Sequence, residues 1–160
     1  MPVADFILRL RAKVGHDSLW LPGVSAVVVN EAGEILLGQR ADFGYWSIPA
    51  GVPEPGEEPA AAIVREVYEE TAVHVVPERI SSVTVTPEVV YPNGDAARYM
   101  NITFRCRPIG GVAKVNDDES LAVGWFRLDD LPDLNEMTRT RIHRALPADG
   151  PAWFATQPGS

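Results

Sequence analysis

The chain has 160 residues, 46% hydrophobic and 22% charged, the balance of a globular protein with enough length for a real core. A net charge of -8 excludes the basic footprint of a protein that holds nucleic-acid polymers, and no apolar run is long enough to cross a membrane. Cys106 is the single cysteine, so an internal disulfide is impossible and a reducing, cytoplasmic setting is expected.

The first segment, MPVADFILRLRAKVG, places Phe6, Ile7, Leu10 and Val14 at helical spacing, so the pattern predicts an amphipathic helix over about 3–13. It has no small-residue cleavage site and is not read as a signal peptide. Val24–Asn30 and Ile35–Arg40 are β-rich, and Glu31-Ala32-Gly33-Glu34 between them reads as a hairpin turn. Trp46–Pro49 is short and extended, because a proline disfavours helix at the residue before it. Pro53, Pro55 and Gly56 keep a loop up to a helix starting near Glu57, where Pro59 is tolerated in the first turn and Glu57 and Glu58 suit the positive end of the helix dipole. Pro77 bars its continuation. Ile80–Thr86 and Arg98–Cys106 read as strands joined through Tyr91–Asp95, whose Asn-Gly is a turn signal. Ala122–Leu128 is a further strand, Leu134–Leu146 a closing helix, and the tail after about 147 is expected to be loose. Interleaved strands and helices with hairpins among them predict one α/β domain over 1–160, a mixed sheet between helices.

The chemistry concentrates in Gly51–Val73. On a helical wheel centred on Glu66, Glu70 falls roughly 40° to one side and Glu69 roughly 60° to the other. Ala62 lies between them one turn earlier, too small to block access, while Ala60, Ile63, Val64 and Val67 fill an adjoining apolar arc. Like charges at this spacing repel even when exposed, and more so in a cleft, where they raise one another's pKa. A hard divalent cation removes the repulsion, and magnesium typically bridges a few carboxylates to substrate phosphates. The spacing alone also fits a solvated acidic face in which Arg65 pairs with a glutamate; the glycine-led, Pro-rich loop at a fixed distance before it favours a site.

This segment resembles the signature of the Nudix hydrolases, G-x(5)-E-x(7)-R-E-U-x-E-E-x-G-U, with U a bulky aliphatic. Gly51, Glu57, Arg65, Glu66, Val67, Glu69, Glu70 and Val73 match, and Ala72 replaces the last glycine. Trp46–Gly51 is similar to the family's usual lead-in, with Ala50 where a first glycine is commoner. The resemblance implies an α/β/α sandwich with a mixed sheet, and hydrolysis of the pyrophosphate of a nucleoside diphosphate linked to another group, such as ADP-ribose, NADH or a nucleoside triphosphate. It implies Mg²⁺, or Mn²⁺, on Glu66, Glu69 and Glu70, with the Ala50 carbonyl as a further ligand, Arg65 orienting Glu66, and Glu57 in the metal site or steadying its loop. The base in such enzymes is a helix glutamate, here Glu66 or Glu69, or an acid from a later loop. Asp117-Asp118-Glu119 is the later candidate, with Glu119 preferred, and it also reads as a plain acidic turn. Alternatives are a non-catalytic nucleotide sensor of similar fold, and an isoprenoid-diphosphate isomerase, which would need a cysteine and histidines in a pattern that Cys106, His16, His74 and His143 do not make. A homodimer is a further expectation from the resemblance.

Beyond the signature, Arg40 at a strand end is a candidate for substrate phosphate, as Gly51 is for substrate contact. Tyr45 and Trp46 either stack on a base or belong to the core, with core favoured. Tyr91–Arg98 either overhangs the site, with Arg98 and Tyr99 near it, or is a plain hairpin. Cys106, in a strand, is expected to be buried and inert.

Overall fold

The computed structural model describes residues 3–157. In chain order it runs α1 (Asp5–Val14), β1 (Leu19–Val28), β2 (Ile35–Arg40), β3 (Trp46–Ser47), β4 (Ala50–Gly51), α2 (Pro59–Thr71), β5 (His74–Val85), β6 (Val89–Val90), β7 (Ala96–Gly110), β8 (Ser120–Phe126), α3 (Glu136–Ala145) and β9 (Trp153–Phe154). The larger sheet is mixed, in the order β4-β1-β7-β5-β9 with β6 beside β7; β1 pairs parallel with β7, and β5 pairs antiparallel with it. A smaller antiparallel sheet runs β3-β2-β8.

Alternation along β1 explains the layers. Val24, Ala26 and Val28 join Ala62, Ile63 and Val67 of α2 in one core; Val27 points the other way, to Ile142 and Ala145 of α3 in a second. β2 divides similarly, Leu36 to the α2 side, Ile35 and Leu37 to the α3 side. Burying each such valine, leucine or isoleucine stabilises by about 1.5–3 kcal/mol. The result is the expected mixed α/β sandwich. Among the described residues no helix is long and apolar enough to cross a membrane.

Several elements differ from expectation for identifiable reasons. The turn after Val29 forms, but the backbones of its two strands pair only at the bridge Val29–Ile35 before entering different sheets, so it is not a regular hairpin. β5 begins at His74, six residues early: Pro77 sits in the strand where the register with β7 shifts, a bulge that spares the missing amide. The tail is not loose at Trp153–Phe154, which pairs parallel with Ser82–Val83, while the Arg144 guanidinium lies 3.3 Å above the Trp153 ring. α1 forms, yet none of its residues is fully buried; Leu8, Leu10 and Val14 stay exposed, and Arg11 ties it down by donating to the carbonyls of Asp17 (2.6 Å) and Ala96 (2.7 Å).

Candidate active site

α2 starts at Pro59, two residues later than expected, with Glu58 as its N-cap at the positive end of the dipole and Glu57 just before it. Glu57 is spent on Arg65: its two carboxylate oxygens accept from Arg65 Nε and Nη2 at 2.8 Å each, a fork-to-fork pair, and Oε2 also accepts from the Glu54 amide at 2.9 Å. Arg65 Nη1 donates onward to Glu66 (2.8 Å) and Glu69 (3.2 Å). One guanidinium thus fixes the loop before the helix and two glutamates on it. With both oxygens engaged, Glu57 steadies the loop before the helix.

Glu66 is the most confined of the acids, 2% exposed. A Cβ on Gly51 would collide with the Glu66 carboxyl carbon, so glycine at 51 is what lets β4 close over that side chain. Ala62 is also fully buried in the α2 core, so this face of the helix is packed, not open as the wheel suggested. Burial pushes the Glu66 pKa up to about 7 against the opposing pull of Arg65, with Glu69 and Glu119 adding to the rise. Glu70 lines a cavity and is shifted the same way, first by burial, then by the charges of Glu66, Glu119 and Asp117, with Arg40 opposing.

Glu119 belongs with these acids although it is far away in sequence. Its backbone carbonyl accepts from the Ala41 amide at 2.8 Å, which holds the acidic loop against the end of β2. Arg40 makes a two-pronged pair with Asp42 (2.9 and 2.6 Å) while facing Glu70. Two adjoining cavities of about 410 and 480 Å³ share Arg40, Ser47, Ala50 and Glu119 in their walls. Glu70 and Asp118 line the first; Gly51 and Glu66 line the second, together with an aromatic wall. That is the size range of small-molecule sites.

The aromatic wall resolves the alternatives left by the sequence. Trp46 packs edge-on against Phe126 at 4.9 Å in the α3-side core. Tyr45 instead faces the cavity, stacked on Phe43 at 5.6 Å and 12°, with Tyr91 5.9 Å beyond Phe43. The Tyr91 and Tyr99 hydroxyls meet at 2.6 Å, so the β6–β7 turn overhangs the site; Arg98 lies apart, 4.0 Å from Glu88. Sequence reasoning passed over Phe43 and Arg141, which also line this cavity. Arg141 falls one turn after Met137 on the inward stripe of α3, the only signal that could have found it. Cys106 is buried with its pKa pushed up to about 12 by burial, an inert thiol. His16 pairs with Asp95 (2.7 Å) and His74 stacks on Tyr68 (4.4 Å), both away from the acids.

Among the described residues no three acidic, histidine or cysteine side chains converge into a ready-made metal cage. The donor set still fits a hard cation. Every candidate ligand is an oxygen, the acids hold one another's pKa values up, and magnesium is commonly held by one or two carboxylates with water and phosphate completing its shell.

The sequence matches the NUDIX domain profile over residues 19–147. A MutT-like protein of Streptomyces ambofaciens is 36% identical over 129 residues, covering 80% of this chain and 78% of that one. The chain belongs to the Nudix family. A human 8-oxo-dGDP phosphatase is 38% identical over 145 residues, covering 87% of this chain but only 39% of its own length. The crystal structure of an ADP-ribose pyrophosphatase from Streptococcus suis superposes with a TM-score of 0.62 at 27% identity, covering 79% of this chain and 89% of that one. The Nudix signature of this chain is therefore the Arg65-centred network just described, with Ala72 as its one departure.

Proposed function

We propose that the protein is a divalent-metal-dependent Nudix pyrophosphohydrolase that cleaves the pyrophosphate of a nucleoside diphosphate derivative. The observation that carries this reading is the cluster of Glu66, Glu70 and Glu119 at two nucleotide-sized cavities, with Glu66 locked by Arg65 beneath Gly51. Glu66, Glu69 and Glu70, with the Ala50 carbonyl, would hold Mg²⁺ or Mn²⁺. Such a cation, when bound, neutralises phosphate charge and lowers the pKa of its water. Arg65 keeps the Glu66 carboxylate in one orientation; Glu57 returns the favour by fixing Arg65. Arg40 stands where it can take a phosphate oxygen, and must exchange part of its pair with Asp42 to do so.

The proton from the attacking water goes to a carboxylate. Glu119 suits this role, because it is exposed at the rim shared by both cavities. Glu66 is already committed to Arg65. The test is release of a nucleoside monophosphate from ADP-ribose, NADH, dinucleoside polyphosphates and nucleoside triphosphates, with and without Mg²⁺, with products identified. Cleavage of at least one, abolished by chelator, is expected. Tight nucleotide binding with no turnover on any of them would replace the enzyme by a ligand sensor.

A further inference from the structure

Arg141 is a buried cation that the catalytic network does not use. Its side chain lines the larger cavity at 7% exposure, and neither Nε nor Nη2 has a hydrogen-bond partner, although solvent does not reach them. Burial first, and then the charge of nearby Arg144, lower its pKa to about 10, and only the Tyr45 hydroxyl acts in its favour; no carboxylate takes part. It remains charged at neutral pH without a counter-ion, in a chain whose net charge is -8. Such a group is costly to a fold. No hydrogen bond anchors the guanidinium, so turning it into the cavity breaks nothing.

What it would meet there follows from its neighbours. Phosphates belong at the acids, where Arg40 serves them. Arg141 stands off that cluster, with the stacked Tyr45–Phe43 pair in the same wall. Aromatic faces take a nucleobase at about 1–3 kcal/mol per stack. An arginine fork offers two parallel donors, which match two adjacent acceptors in one plane. Among purines, guanine has that pattern at O6 and N7, whereas adenine puts a donor beside N7. Arg40, 5.6 Å from the Phe43 ring centroid, lies between the two ends, as a residue beside the phosphate nearest the nucleoside would.

We propose that Arg141 and the Tyr45–Phe43 pair form a base subsite that takes guanine in preference to adenine. The inference rests on the pyrophosphohydrolase reading for its phosphate end, and selects nucleotides of guanine within that class.

The test is calorimetric titration of the full chain with GMP, AMP and inorganic phosphate in the presence of chelator, so that no turnover is needed. GMP is expected to bind more tightly than AMP. Arg141→Met should weaken GMP about tenfold to a hundredfold, from the 1–3 kcal/mol of one bidentate contact, and leave AMP within about twofold. Arg141→Lys, which keeps the charge but loses the fork, should recover only part of the loss. The melting temperature of Arg141→Met should be unchanged or higher, since an unpaired buried charge is removed. Equal binding of GMP and AMP by the native chain would overturn the subsite. So would equal losses for GMP, AMP and phosphate in Arg141→Met, which would make Arg141 a phosphate ligand, or a clear fall in its melting temperature, which would make it a packing residue. Guanine preference without hydrolysis of any substrate would keep the subsite and remove the enzyme.

Discussion

At the carboxylate end of the cleft, Arg65, Glu66, Glu69 and Glu70 come from six consecutive residues of one helix; Arg65 ties Glu66 and Glu69 by charge-assisted bonds, Gly51 closes over Glu66, and Glu70 lines the cavity beside them. At the aromatic end, Phe43, Tyr45, Tyr91 and Arg141 come from a loop after β2, a turn after β6 and the inward face of α3. The first end is prepaid: Arg65, Glu66 and Glu69 are oriented before any ligand arrives. The second is unfinished, with a cation that has no partner and hydroxyls that meet only each other. The contrast fits a division of labour in which shared chemistry is fixed on a rigid helix and selectivity is left to loops and scattered side chains.

The largest expected effect breaks the prepaid end. Glu70→Gln removes a charge that would face both cation and phosphate; turnover should fall by at least about a hundredfold, since even second-layer partners of metal ligands cost about 10–100-fold. Steady-state rates across Mg²⁺ concentrations measure it, and an unchanged rate would take Glu70 out of the site. Arg65→Lys keeps a positive charge but cannot serve Glu57, Glu66 and Glu69 together. A loss of about 10–100-fold is expected, mostly in kcat, because the substrate itself is not touched. A loss confined to KM would instead make Arg65 a substrate ligand.

A smaller effect is pH-dependent stability. Burial raises Glu66 to about 7 from an ordinary value of 4.5, and shifts Glu70 in the same direction. Between those two pH values the folded protein binds more protons than the unfolded chain, so stability is greatest below the lower one and falls as pH rises through the window. Glu57 and Asp42 shift the opposite way, held down by Arg65 and Arg40, and their contribution is lost only at more acidic pH. Metal-free protein should therefore melt higher at pH 5 than at pH 8, and Mg²⁺ should raise the melting point more at pH 8. Scanning calorimetry in chelator and in Mg²⁺ checks this; a metal-free melting point that rises from pH 5 to pH 8 would show that the acids are better solvated than their burial suggests.

How much of this was legible in sequence follows the same division. The acids of α2 were readable because a helix turns local spacing into a shared face, and the alternation of β1 and β2 made the core readable for the same reason. The packed state of that face was not, because the wheel shows direction and not what presses on it: Gly51 arrives from β4 and Ala62 goes into the core. Pro77 hid six residues of β5, since a lone proline cannot announce the bulge that accommodates it. Trp153–Phe154 and Arg141 owe their positions to partners 70 or more residues earlier, Ser82–Val83 for the one and the Tyr45 loop for the other, and no local pattern encodes such a meeting.

The smallest effect sharpens the comparison at the one place where the prepaid end departs from its family. Ala72 caps α2 in the left-handed region, φ 60° and ψ 17°, the only non-glycine residue with positive φ among those described. Its amide still donates to the Tyr68 carbonyl at 2.8 Å, and the Thr71 carbonyl accepts from Lys114 at 3.0 Å, so the turn is kept and the backbone bears the strain. That strain costs about 1–2 kcal/mol for an L-residue. Against it stand the burial of the Ala72 methyl, worth about 0.8 kcal/mol, and the extra freedom that glycine gives the unfolded chain, about 0.4–1 kcal/mol. The terms nearly cancel, which explains how alanine is tolerated where the signature has glycine. Ala72→Gly should therefore move the melting temperature by no more than about 2–4 °C, the shift expected for 1 kcal/mol at this chain length. It should leave kcat unaltered, because the turn it relaxes carries no ligand. A change in kcat would mean that the cap sets the aim of Glu69 and Glu70, and that the carboxylate end is less rigid than its hydrogen bonds imply.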